Sequence, residues 1–205
     1  MPKKEVSLNI LEDYLPPGCL EDVLHYLNFY KVQLTVTKQR ASILGDYRHA
    51  HHGQTQRISV NGNLNKYSFL ITLLHELAHL FAFERYGPKV QAHGIQWKKE
   101  YADILSLFLS KKIFPVDLEN VLIETLKNPA ASSCGDDKLL RVLHRYDKKK
   151  EGMSFVENIA QHGLFKIRGE RIFCKGEKVR TRYKCIEVQT GKCYLFSGVH
   201  EVTIL

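Results

Sequence analysis

The sequence predicts an α+β protein in two parts: a helical domain with a small antiparallel sheet over residues 1–145, then a small all-β module over residues 152–205. Three observations lead there. Residues 67–94 hold a long apolar run with helical spacing, and short alternating runs precede it between residues 32 and 60. Beyond Gly152 the texture changes to brief apolar-polar alternations punctuated by Gly163, Gly169, Gly176, Gly191 and Gly198.

Taken in order, residues 5–14 and 19–30 carry helical apolar spacing (Leu20, Val23, Leu24, Leu27) and are parted by Pro16, Pro17 and Gly18, which predicts two helices joined by a turn. Strand-like alternation over residues 32–36, Ser42 to His51 and Thr55 to Val60, with a turn at Gly53, predicts the small sheet. Asn61, Gly62 and Asn63 turn the chain into the long helix, which Gly87 and Pro88 end. Trp97, Tyr101, Ile104, Leu105 and Phe108 mark one face of a further amphipathic helix, Pro115 ends it, and a shorter helix runs from Asp117 to Leu126. Residues 128–138, NPAASSCGDDK, have the composition of a linker, and LLRVLHRYDKKK leads out of it toward a module of about five short strands.

Composition narrows the class. A hydrophobic content of 44% with 25% charged residues is that of a soluble globular protein with room for a sizeable core. The first residues lack an apolar signal segment, and the one long greasy run carries two His and a Glu at its centre, so neither secretion nor a membrane span is expected. Five cysteines without a CxxC pair predict free thiols and a cytoplasmic protein. The net charge of +8 is unevenly spread. Residues 141–205 hold 14 Lys and Arg against 7 Asp and Glu, so the excess belongs to the last third and points to an anionic partner for it, nucleic acid first among them.

The chemistry concentrates at HELAH. In a helix His75 and His79 fall one turn apart on one face, close enough to share a metal ion, and Glu76 beside them could take a proton from water at that metal. Thr72, His75, Glu76 and His79 form a polar stripe on a helix otherwise built of Leu, Ile, Ala and Phe. Such a helix is buried, and its stripe needs partners, for which a metal at a cleft suffices. A catalytic zinc takes three protein ligands, and His93 follows a helix-breaking Gly-Pro, so the chain can return and present it to the same ion. Without HELAH upstream, His93 would read as an ordinary residue at the start of the next helix. Tyr101 and Arg85 are close in sequence and could serve a developing oxyanion, but spacing alone gives neither a geometry.

HELAHL followed by HGIQW resembles the SprT-like metalloprotease domain, the family that includes the eukaryotic protease Spartan, over about residues 5–145. The resemblance implies a zincin-like fold, one catalytic Zn2+ held by His75, His79 and His93, Glu76 as the catalytic glutamate, protein substrates, and DNA-associated or DNA-crosslinked proteins among them. Family members typically add a zinc ribbon of paired cysteines. Cys174, Cys185 and Cys193 are single, so the tail is expected to be a degenerate, ribbon-like β unit stabilised by packing alone, with no second zinc. His49, His51 and His52 read as a solvated hairpin or one lining the cleft rather than a second metal site, and Cys134 as a spectator in the linker.

In the tail, KVRTRYKC read as one strand puts Lys178, Arg180, Arg182 and Lys184 on one side, where they could track a phosphate backbone, with Phe173, Tyr183 or Tyr194 available for stacking. Lysines on an exposed edge strand also guard against aggregation, and the aromatics suit a core. Two functions follow: a zinc metallopeptidase guided to DNA by its tail, or a non-catalytic zinc-containing nucleic-acid-binding protein.

Overall fold

A computed structural model describes residues 8–40, 43–50, 53–127, 129, 136–148, 151–167 and 169–205. The chain divides between Asp147 and Lys148 into two units, each with its own core. In the first, a 3-10 turn (Leu8–Tyr14) and α1 (Leu20–Phe29) lead into β1 (Gln33–Thr37), β2 (Gly45–Arg48) and β3 (Arg57–Asn61), followed by α2 (Lys66–Tyr86), α3 (Ile95–Ser110), α4 (Val116–Lys127), α5 (Asp137–Leu143) and a 3-10 turn (His144–Tyr146).

Helix α2 is the centre of this unit. It starts at Asn65, whose side-chain oxygen accepts the Ser68 N–H at 2.9 Å, and ends at Gly87, which adopts φ 82° where a side chain would be strained. The Asn65 amide also donates to the Leu143 carbonyl (3.0 Å) and the Asp147 carboxylate (2.6 Å), tying the start of α2 to the end of the unit. From Phe69 to Leu74 every residue is buried, as are Leu77, Ala78, Leu80 and Ala82, so neighbours cover α2 on most sides. The α3 face formed by Trp97, Tyr101, Ile104, Leu105 and Phe108 is buried.

The small sheet differs from the expected antiparallel one. Its order is β1-β3-β2: β2 pairs with β3 antiparallel, but β1 pairs with β3 in parallel, Leu34 facing Ile58 and Val36 facing Val60. Ile58 and Val60 are almost fully buried, so β3 takes the central place and the chain must carry β2 past it to the outer edge. At the N-terminus residues 8–14 form a 3-10 turn rather than an α-helix, and residues 5–7 lie outside the described residues. Of the expected linker, residues 128 and 130–135 also lie outside them. Asp136 caps α5 by accepting from the Lys138 and Leu139 N–H groups, and Leu139, Val142 and Leu143 are buried in the first core. Helices α4 and α5, on either side of the expected linker, therefore both belong to the first unit.

The second unit has β4 (Met153–Phe155), a 3-10 turn (Val156–Asn158), β5 (Leu164–Lys166), β6 (Ile172–Val179), β7 (Arg182–Glu187), β8 (Cys193–Ser197) and β9 (Glu201–Ile204). Six strands are thus described, ordered β4-β9-β5-β6-β7-β8, with β9 returning antiparallel to β5. One face packs Phe165, Phe173, Cys185 and Val202, with the Phe196 ring 5.0 Å from Phe173 and 5.4 Å from Phe165. The ammonium of Lys175, a residue 5% exposed, donates to the Glu157 and Ile159 carbonyls and lies 4.3 Å from the Tyr183 ring centre. Gly176 sits at a bulge where a Cβ would come 2.6 Å from the Lys184 carbonyl oxygen, so only glycine fits.

Two outcomes are expected. Leu77→Ala should lower the stability of the first unit by about 2–5 kcal/mol in urea titrations, the range for emptying a fully buried leucine site. In the second unit, hydrogen bonds from Arg171 (2.5 Å) and Thr190 hold the Glu187 carboxyl at about 2, below its ordinary 4.5. Because the folded-state pKa is the lower one, this stabilisation is present above about 4.5 and is lost as pH falls toward 2. Acid unfolding of the tail, followed by tyrosine circular dichroism, should lose that component in Glu187→Gln.

Candidate metal centre

His75 and His79 point from successive turns of α2 toward the loop between α2 and α3, and His93 closes on them from that loop. The His93 Nε2 atom lies 3.1 Å from that of His75 and 3.0 Å from that of His79, and the three ligand atoms fall within 4.8 Å of one another. His93 reaches this position with φ 59°, immediately before Gly94 caps α3. Trp97, one turn into α3, backs all three rings, with its ring centre 4.6, 5.3 and 4.7 Å from those of His75, His79 and His93. Tyr101 stacks behind the indole at 5.1 Å.

The donor set fits a metal ion. Burial, followed by the neighbouring imidazoles, pushes His75 down to about 3 and His79 to about 4, and burial also lowers His93. At neutral pH all three rings are uncharged and offer lone pairs, the form that coordinates metals. His93 Nε2 faces two other Nε2 atoms, yet a neutral ring nitrogen has one proton or one lone pair to give, so hydrogen bonding alone leaves the trio unsatisfied. Nitrogens held about 2.0–2.1 Å from a zinc in tetrahedral array stand about 3.3 Å apart, close to the two short spacings here.

Glu76, 7% exposed, faces strand β2. A Cβ on Gly45 would lie 2.5 Å from Glu76 Oε1 and 2.8 Å from its Cγ, so the strand's backbone lies directly against the carboxyl, and the Tyr47 main-chain N–H donates to it. Burial, and next the Asp46 carboxylate, raise the carboxyl to about 8 against the opposing pull of Arg40 and the Tyr47 N–H. Arg40 donates to Asn61 Oδ1 (2.8 Å), Ser59 Oγ (3.0 Å) and the Leu44 carbonyl (3.3 Å), fixing the entry to β2. Thr72, the remaining member of the polar stripe, has its buried hydroxyl without a hydrogen-bond partner among the described residues.

The other candidates fall elsewhere. Arg85 pairs with the buried Glu100 at 2.9 Å, and Tyr101 is packed behind Trp97, so neither presents a donor beside Glu76. His49 stacks on Phe83 at 4.8 Å, while His51, His52 and Cys134 lie outside the described residues. Cys174 and Cys193 lie opposite Ile186 from either side and Cys185 is on the other face of β7, so among the described residues no tail cysteine joins a metal-holding group. KVRTRYKC is not one strand but the tip of the β6–β7 hairpin, with Arg180 in the turn at φ 56°. Lys178 pairs with Tyr183 on the core face, whereas Arg182 and Lys184 lie on the opposite face, so the four exposed cations surround a hairpin end instead of lining one side. Phe173 is buried, Lys175 and Lys178 sit over Tyr183, and Arg171 lies 4.8 Å from the Tyr194 ring centre. An open groove of about 440 Å³ between α1, α2 and α3, lined by Tyr26, Tyr30, Phe81 and Glu84 among others, contains none of the three histidines.

No motif marks Gly45 or Tyr47; only a glycine inside a strand pattern hints at a close backbone approach. No helix among the described residues is long and apolar enough to cross a membrane. No curated protein and no solved structure matches the chain. Residues 21–119 match the SprT-like family, a span that takes in β1 to β3, α2 and α3 whole. The chain therefore carries a SprT-like domain, and the three converging histidines and Glu76 all lie within it.

Proposed function

We propose that this domain is a zinc-dependent metallopeptidase in which His75, His79 and His93 hold one Zn2+ and Glu76 is the general base. The observation that carries this reading is the convergence of three uncharged imidazoles with a buried carboxyl on the adjoining residue. Three nitrogen ligands are a donor set that suits zinc and leaves a fourth position open. The chemistry a bound zinc supplies is Lewis acidity toward a peptide carbonyl and toward water. In its ionised form, which the positive charge of a Zn2+ on the adjoining histidines would favour over the raised pKa of the empty site, Glu76 accepts the proton of the attacking water at its carboxylate and returns it to the leaving amine. Gly45 and the Tyr47 N–H keep that carboxylate in one place, and Trp97 keeps the histidine rings from turning. A site used only for structure has no need of a base held this way.

The substrates we infer are proteins on DNA or crosslinked to it. The support is the excess of positive charge over residues 141–205, together with the exposed Lys178, Arg180, Arg182 and Lys184 around one hairpin.

Purified protein should hold about one zinc per chain, falling to background when His75, His79 and His93 are all changed to Ala, as read by metal analysis. Cleavage of a DNA-bound protein should fall by about 10²–10⁴-fold in Glu76→Ala with zinc retained. If wild type and Glu76→Ala are equally inert on such substrates, the non-catalytic nucleic-acid-binding protein is the correct account. Gly45→Ala should also abolish cleavage while leaving zinc bound, because the new methyl group occupies the place of the carboxyl. Affinity for DNA should drop steeply between 50 and 200 mM salt, by about 10-fold or more if a few phosphates are contacted, and a flat response removes the DNA assignment.

A further inference from the structure

The geometry points to Gln56, acting with Tyr47 and Glu84, as a clamp that positions the Glu76 carboxylate through strand β2. These are positioning residues, and the inference rests on Glu76 being the catalytic base.

Strand β2 has four residues and, among the described residues, pairs only with β3, so it is an edge element with a single ladder. Such elements are the first to open in a folded protein. Yet β2 supplies both the Gly45 backbone against which Glu76 lies and the Tyr47 N–H that bonds its carboxylate. Its entry is fixed by Arg40 on the Leu44 carbonyl and by the Asn61 amide, which donates to the Ile43 carbonyl at 2.9 Å. At its exit stands Gln56, 8% exposed. Gln56 Oε1 accepts from the Tyr47 hydroxyl (2.8 Å) and from the Ala50 N–H (2.9 Å), and its Nε2 donates to Glu84 Oε1 (2.5 Å).

The direction of that amide is forced. The Ala50 N–H can only donate and a carboxylate can only accept, so the oxygen of Gln56 must face the first and its nitrogen the second. Glu84 lies on α2, eight residues beyond Glu76 and about 12 Å along the axis. The path thus leaves α2 at Glu76, passes through the main chain and ring of Tyr47 and the amide of Gln56, and returns to α2 at Glu84. Beside it, His49 stacks on Phe83. Strand β2 is attached at two points to the helix that carries the base, and releasing the second lets the first drift.

A charge swap tests this on the zinc-loaded full chain. Gln56→Glu sets two carboxylates against each other, Glu84→Gln keeps an acceptor for Gln56, and the double variant restores the bond with its direction reversed. In Gln56→Glu, kcat for peptide cleavage should fall about tenfold with KM within about twofold, Glu84→Gln should stay near wild type, and the double variant should recover to within about twofold. Independently of activity, NMR hydrogen exchange at the Tyr47 amide should speed up about tenfold in Gln56→Glu and slow again in the double variant, with Leu77 on α2 unchanged. Should Gln56→Glu not fold, Tyr47→Phe carries the test, since it removes only the hydroxyl and should speed the same exchange about threefold. Tyr47 exchange unaltered in these variants, or a double variant no better than Gln56→Glu, overturns the clamp. An inert wild type would instead count against Glu76 as the base, while the exchange pattern would still decide whether the clamp exists.

Discussion

The first unit is governed by one constraint: a helix buried on most sides carries four polar side chains that cannot all be left without partners. Apolar neighbours cover α2 nearly everywhere, so its imidazoles and carboxyl can be satisfied only where the packing is interrupted. Two elements meet that gap. The loop after α2 brings His93 and the indole of Trp97, and the outer strand of the sheet brings a bare backbone at Gly45 and a main-chain N–H at Tyr47. The capping of α2 by Asn65 and Gly87, the placing of β3 at the sheet's centre and the Gln56 network all serve to hold these partners against one helix face.

Much of this was legible in the sequence. The 3.6-residue repeat alone places His75, Glu76 and His79 on adjoining positions of one turn, and the Gly-Pro break after Tyr86 explains how His93 returns to them. The face of α3 was equally plain from the spacing of its aromatic and aliphatic residues. What escaped depends on contacts between segments distant in sequence. Nothing in the alternation over residues 32–60 says which strand is central, so the parallel pairing of β1 with β3 could not be read. Nor could the partners of Gln56, since a buried glutamine in a strand-like run has no local signature.

The tail shows the opposite failure, in which a local pattern suggested too much. KVRTRYKC alternates as a strand does, but the turn at Arg180 and the bulge at Gly176 divide its cations between two faces. The core of this module is built of Phe165, Phe173 and Phe196, with the buried ammonium of Lys175 beside it.

His93 adopts a left-handed backbone, a conformation that disfavours any residue with a β-carbon by roughly 1–2 kcal/mol relative to glycine-like freedom. Glycine stands at the very next position, so relief was one residue away and was not taken. Where conformation and side-chain chemistry make opposite demands, the residue that remains records which demand was the stronger. The loop between α2 and α3 is shaped around an imidazole, at a standing cost to its own backbone.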